Sequence, residues 1–123
     1  MKIKTADLIG PALDWAVAKI DQPQWSEYDC ELWVQDDEYQ YSPSTIWSQG
    51  GLIIEREWIE LQNGSNLHPD LWGACKWSDT DAGIPLWEGR GPTPLIAAMR
   101  CFVASRLGDE VDVPDELVNQ HEE

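Results

Sequence analysis

Apolar residues recur along this chain in two periods, and the change from one to the other marks out its elements. Leu13, Ala16, Val17 and Ile20 follow the spacing of one helical face, so a first helix is predicted from about Pro11 to Ile20. Asp21-Gln22-Pro23 ends it, because the residue before a proline is driven out of helical geometry. From Tyr28 to Gln35, Cys30, Leu32 and Val34 alternate with Glu31, Trp33 and Gln35, and this reads as a strand. The acidic run Asp36-Asp37-Glu38 is then a solvated turn before a short extended piece at Tyr39–Tyr41.

Ser42-Pro43-Ser44-Thr45 offers capping hydroxyls for a helical turn carrying Trp47, which Gln49-Gly50-Gly51 is expected to interrupt. A middle helix resumes from Leu52 to Trp58, with Ile54 and Trp58 on its buried side and Glu55, Arg56 and Glu57 on its wet side. Ile59–Gln62 starts a strand that ends at Asn63-Gly64, where a turn also explains the glycosylation-like Asn63-Gly64-Ser65. Leu71–Trp77 and Ile84–Trp87, joined across Ser78–Gly83, are predicted to form an antiparallel pair. The last helix has the clearest limits: Thr93 stands at the N-cap, Pro94 in the first turn and Gly108 just past the end.

That helix bears a wide apolar face of Leu95, Ile96, Met99, Phe102, Val103 and Leu107, backed by the small residues Ala97, Ala98, Cys101, Ala104 and Ser105. Such a helix is covered on both sides, either by another element or by a second subunit, so its small face is a candidate homodimer contact. Together the pieces describe an α+β chain: a short, mostly antiparallel sheet flanked by an N-terminal, a middle and a long C-terminal helix. At 123 residues there is room for one core. Residues 1–108 are expected to form a single domain and 109–123, with seven carboxylates and no Lys or Arg, an acidic tail.

Charge narrows the range of functions. Twenty-three acidic against eight basic side chains give a net charge of −15, which repels phosphate backbones and argues against direct binding of nucleic acid. The same field attracts a basic protein surface; the plainer reading is that it keeps a chain with eight Trp soluble. No apolar run suits a membrane span or a secretory leader, and the expectation is a chain that stays in the cell that makes it. Cys30, Cys75 and Cys101 are too few and too scattered for a disulfide framework or zinc knuckle, and read as reduced core thiols.

Few residues suggest chemistry. His68 and His121 have no companion at metal-ligand spacing, and Asp79-Thr80-Asp81-Ala82-Gly83 begins like a calcium loop but carries Arg90 at the twelfth position, so neither metal nor cofactor is expected. No nucleophile elbow occurs, and an enzyme is disfavoured. Two stretches stand out. In Tyr41–Gly51 the candidates for contact with a ligand or partner are Tyr41, Ser42, Ser44, Thr45, Trp47, Gln49 and Gly50; the alternative is a capped helix start with Trp47 in the core. In Gly89-Arg90-Gly91-Pro92-Thr93-Pro94, Arg90 and Thr93 lead into a helix whose first amides suit a nucleotide or other anion, against the plainer reading of a turn plus a cap. Most Trp belong to the core; Trp25 and Trp87 are candidate exposed anchors.

Three blocks also carry a resemblance: Lys4-Thr5-Ala6-Asp7-Leu8 with Gly10-Pro11-Ala12-Leu13-Asp14-Trp15-Ala16-Val17-Ala18; Tyr41-Ser42-Pro43-Ser44-Thr45 with Trp47, Gln49-Gly50-Gly51 and Ile53-Ile54-Glu55-Arg56-Glu57; and Gly91-Pro92-Thr93-Pro94-Leu95-Ile96-Ala97-Ala98-Met99-Arg100 through Pro114. Over nearly its whole length the chain resembles the NinX-like family of small proteins of lambdoid phages. Ile46 stands where the family carries Asp, and Leu52 where it carries Pro, which removes a carboxylate from that loop. The resemblance implies a fold similar to a small α-β-α sandwich and a phage accessory protein in the bacterial cytoplasm, with no activity attached. The leading expectation is a non-enzymatic module that binds or inhibits a host or phage protein with a basic surface; a small-anion binder is the second.

Overall fold

In the computed structural model, which describes residues 1–35, 41–63, 71–77 and 85–119, the first helix, α1 (Gly10–Asp21), forms where the periodicity places it. Pro11 lies in its first turn, and Leu13, Trp15, Ala16, Val17 and Ala18 are buried. Before it run a short strand, β1 (Lys2–Lys4), and a 3-10 turn at Thr5–Asp7.

Residues 27–35 are helical, α2 (Glu27–Gln35), and not the predicted strand. Ser26 Oγ accepts from the Asp29 N–H at 3.1 Å while Asp29 Oδ2 accepts from the Ser26 N–H at 3.2 Å. This reciprocal cap starts a helix, and Glu27 and Asp29 favour its positive end. Cys30 is buried and Trp33 and Val34 are half-buried, a helical rather than a period-2 spacing.

The glycine pair does not interrupt the middle helix, α3 (Trp47–Glu57), which runs straight through it. A Cβ on Gly50 would lie 2.2 Å from the Pro43 carbonyl oxygen, so glycine is needed there for close approach, not for a break. Two further expectations fail at its C-terminal end. Trp58 is exposed, in the left-handed conformation that closes the helix, while the Glu57 side chain is nearly enclosed. Glu57 receives Lys76 at 2.6 Å, Arg106 at 2.7 Å and Arg56 at 3.1 Å. Burial pushes its carboxyl up, but those three bonds outweigh burial and hold it down at about 2.

Strands β2 (Glu60–Asn63), β3 (Trp72–Trp77) and β4 (Pro85–Gly91) form an antiparallel sheet in the order β2-β3-β4. The pairing of the last two agrees with the sequence, but β4 extends beyond Trp87 to take in Gly89, Arg90 and Gly91. The long helix α4 (Pro94–Leu107) matches its predicted limits, and Thr93 Oγ1 accepts from the Ile96 N–H at 3.1 Å. It packs on β3 and β4 on one side and on α1 and α3 on the other, with Met99, Phe102 and Val103 fully buried. Its small face, Ala97 and Cys101, is covered by β4 of the same chain: a Cβ on Gly89 would lie 2.3 Å from the Ala97 carbonyl oxygen. Of the face that suggested a homodimer, Ala97, Ala98 and Cys101 are thus covered from within, while Ala104 and Ser105 stay half-buried.

Beyond Gly108, the described residues are acidic but packed. Strand β5 (Glu110–Asp112) pairs antiparallel with β1, setting Asp112 opposite Lys2 and Glu110 opposite Lys4, and a short helix, α5 (Asp115–Asn119), buries Leu117. Val111, Val113 and Leu117 reach the core from between the carboxylates, and their burial fixes the segment. The result is a small α+β single domain of five helices and two antiparallel sheets among the described residues. The turns expected at residues 36–38, 64–65 and 78–83, both His and the calcium-like segment lie outside the described residues.

Candidate functional site

The hydroxyl-rich loop before α3 is built around a buried carboxylate of α1. Asp14 is 3% exposed; its Oδ1 accepts from the Ser44 N–H at 2.9 Å and its Oδ2 from Ser42 Oγ at 3.0 Å. Gln49 Oε1 accepts from the Ser42 N–H at 2.6 Å, which ties the loop to the first turn of α3. Burial pushes the Asp14 carboxyl up to about 6, against the opposing pull of its bonds to Ser44 and Ser42.

Tyr41 locks the loop's other end. Its ring meets Trp25 edge to face at 5.3 Å, Trp25 stacks on Trp33 at 5.5 Å, and the phenol donates to Asp21 Oδ2 at 3.4 Å. Burial, with Asp21 beside it, raises the Tyr41 hydroxyl well above its ordinary value. Trp25 is thus half-buried in an aromatic cluster and is no exposed anchor, while the Trp87 side chain lies outside what the structure describes.

Of the seven loop candidates, Tyr41, Ser42, Ser44, Gln49 and Gly50 hold the loop in place, and Thr45 and Trp47 face outward. Trp47 and Thr45 border a groove of about 220 Å³ with Ser44, Thr93, Pro94, Leu95 and Ile96. The structure so brings Thr93 to the loop and leaves Arg90 elsewhere. A groove this size is below the roughly 300–1,000 Å³ of small-molecule sites and suits a single protruding side chain.

The stretch Gly89–Thr93 is the end of a strand and a helix cap, not a free turn. Gly89, Arg90 and Gly91 are strand residues paired with Ala74, Gly73 and Trp72, and both glycines exist because α4 lies against them. Pro94 has no N–H, and Thr93 Oγ1 already takes that of Ile96. Arg90 borders a separate cavity of about 540 Å³, where Lys4, Arg90 and Arg100 are matched by Glu88, Asp109 and Glu110. Arg100 is itself engaged, donating to the carbonyls of Leu8 at 2.8 Å and Arg90 at 2.7 Å. Equal numbers of cations and carboxylates give that cavity no preference for an anion.

Among the described residues no group of three or more His, Cys, Asp or Glu side chains is placed to hold a metal ion, and no helix is long and apolar enough to cross a membrane. All three cysteines are buried and none is in a disulfide. Burial pushes the Cys101 thiol up to about 12, which removes it as a nucleophile.

The continuation of the outward face of α3 beyond Trp47, to Leu52 and Trp58, is the feature that sequence reasoning missed. Trp47 is 56%, Leu52 66% and Trp58 86% exposed. Trp58 has φ 56°, and the other positive-φ positions among the described residues, Gly10 and Gly108, are glycines. Periodicity places a large apolar residue on a face but does not say which face the fold covers; Gly50, which marks the covered side, was read as a break instead.

Ile46 stands at the N-cap of α3. Its backbone is extended and its side chain makes no capping bond, whereas an aspartate there accepts from the first amides of α3. Ile46→Asp is expected to raise stability by about 1 kcal/mol, seen as a higher urea midpoint at unchanged slope.

A model of a phage protein family, described as Bacteriophage P22, NinX, matches residues 4–106. The match takes in the Asp14 segment of α1, the loop that it holds, α3 and nearly all of α4. No curated protein matches the chain.

Proposed function

The chain belongs to the NinX family of phage proteins, and from that premise we propose that this accessory protein works without catalysis, in the host cytoplasm, by binding and restraining a host or phage protein through a basic surface of that protein. The observation that carries this reading is how its own charges are spent. Lys19 pairs with Glu27, Arg56 with Asp21 and Glu57, and Lys76 and Arg106 with Glu57. Arg100 is bound to carbonyls, and Lys2 and Lys4 stand opposite Asp112 and Glu110. Five of the eight cations are thus engaged in bonds of their own, two more face carboxylates across a strand pair, and the excess over them is carboxylate. Such a surface repels phosphates and attracts cationic protein surfaces at long range.

Affinity capture from phage-infected lysate with nuclease present tests this. The expected result is a stoichiometric protein partner held at low salt and released at moderate salt, since exposed charge contacts are screened. Absence of any partner at low salt overturns the reading. Nucleic-acid mimicry is one form of it; a partner that stays bound at high salt excludes that form.

A further inference from the structure

We propose that the outward face of α3 and the turn that ends it, Trp47, Leu52, Glu55 and Trp58, is the docking surface for a basic protein segment, with an arginine or lysine received at Glu55 between apolar walls. This rests on the reading of the protein as an acidic interaction module and adds the place of contact.

With about 3.6 residues per turn, Gly50, Ile53 and Glu57 point inward and Trp47, Ser48, Gly51, Leu52 and Glu55 share the opposite half of α3. Glu55 lies in the middle of that half, exposed, and makes no ion pair among the described residues. Gly51 leaves room beside the Trp47 ring: a Cβ there would only just touch it, at 3.8 Å. The groove of about 220 Å³ bordered by Trp47 and Thr45 opens at one end of this face.

Trp58 is the sharpest indication. A left-handed backbone costs energy for any residue with a Cβ, and a bulky one is an outlier there. Where the chain needs such geometry at Gly10 and Gly108 it uses glycine; at 58 it holds the largest side chain and leaves it 86% exposed. The cap bonds of that turn, from the Ile59 N–H to the Ile54 carbonyl at 3.1 Å and from the Trp58 N–H to that of Glu55 at 3.4 Å, explain a left-handed residue there but not an indole left in solvent. Tryptophan is also the aromatic best suited to a cation over its face, and aromatic anchors dominate the energetics of protein interfaces. A net charge of −15, with a carboxylate at the centre of the patch, makes the complementary segment cationic.

The test uses the full ¹⁵N-labelled chain and a short peptide bearing arginine and leucine, with the same peptide carrying glutamate for arginine as control. The indole N–H signals are assigned by single Trp→Phe replacements. Expected are shifts at Trp47 and Trp58 with the arginine peptide only, and weakening on the order of tenfold in both Trp58→Gly and Glu55→Gln. Trp58→Gly also melts a few degrees higher, because glycine relieves the backbone, so its lost binding is not a folding defect. Binding that perturbs other residues and survives both substitutions sinks this surface while leaving the acidic-module reading intact. A peptide that does not bind at all at low salt sinks both.

Discussion

Gly89→Ala is expected to cost about 3 kcal/mol, enough to leave this small domain close to unfolding. The added Cβ would sit 2.3 Å from the Ala97 carbonyl oxygen, 2.6 Å from the Cys101 backbone nitrogen and 3.1 Å from its Cα. All three are backbone atoms in the middle of α4, so nothing flexible moves aside and β4 and α4 must separate. That interface covers one whole side of the helix and its loss spreads to Phe102 and Met99 beneath. Gly73→Ala is the control in the same sheet: its Cβ meets only Gln62 atoms, at 3.8 and 4.0 Å. It is expected to leave stability unchanged or raise it by about 0.5 kcal/mol, since alanine has less chain entropy to lose. Urea titration of both variants separates a packing requirement at 89 from a general intolerance of the sheet to side chains.

The second large effect belongs to Asp14. Asp14→Ala is expected to cost about 1–3 kcal/mol, because it leaves the buried Ser44 N–H without its acceptor and removes one of the two partners of Ser42 Oγ, the other being Thr45. Asp14→Asn keeps an acceptor for Ser44 and a polar partner for Ser42 without burying a charge. The sign of its pH dependence follows from the carboxyl being raised to about 6 from an ordinary 3.8. The stability this group contributes is fully present below about pH 4 and is lost as pH rises through about 6. The stability of Asp14→Asn relative to the parent is therefore expected to improve between pH 4 and 7, by roughly 2–3 kcal/mol. Melting curves of the pair across that range check it; a difference independent of pH, or one that runs the other way, refutes the assignment of a buried ionised carboxylate. Glu57, held down at about 2, acts in the opposite sense: its contribution is present above about 4.5 and is lost as pH falls through about 2, equally in the parent and in Asp14→Asn.

The Asp14 expectation ties two of the resembling blocks together in structural terms. The Asp14 segment and the Ser42–Thr45 segment are far apart in the chain but form one lock, and Gly89 and Gly91 seat the helix that begins at Pro94. Most residues that looked like a binding loop are the means by which α3 is held against α1. What they leave on the surface is Trp47 and the helix behind it.

Elements whose signals are local could be read from the chain alone. Thr93, Pro94 and Gly108 set the ends of α4, because capping chemistry acts within one turn, and the spacing of Leu13, Ala16, Val17 and Ile20 set α1. The antiparallel pairing of β3 and β4 was legible from two short runs with a turn between them. Even α2 had a local signal in Ser26 and Asp29, outweighed in the reading by an accidental alternation of Cys30, Leu32 and Val34. The meaning of the glycines and the tryptophans depended instead on how distant segments pack. A glycine that breaks a helix and one that admits a neighbouring backbone look alike in sequence; Gly50 and Gly89 are of the second kind because Pro43 and Ala97 arrive from elsewhere in the chain. Likewise an apolar period shows that a face exists, while burial depends on what folds over it. Trp25 was covered by Trp33 and Tyr41, whereas Trp47 and Trp58 were left on the surface, because contacts between distant segments set which apolar surface is removed from water.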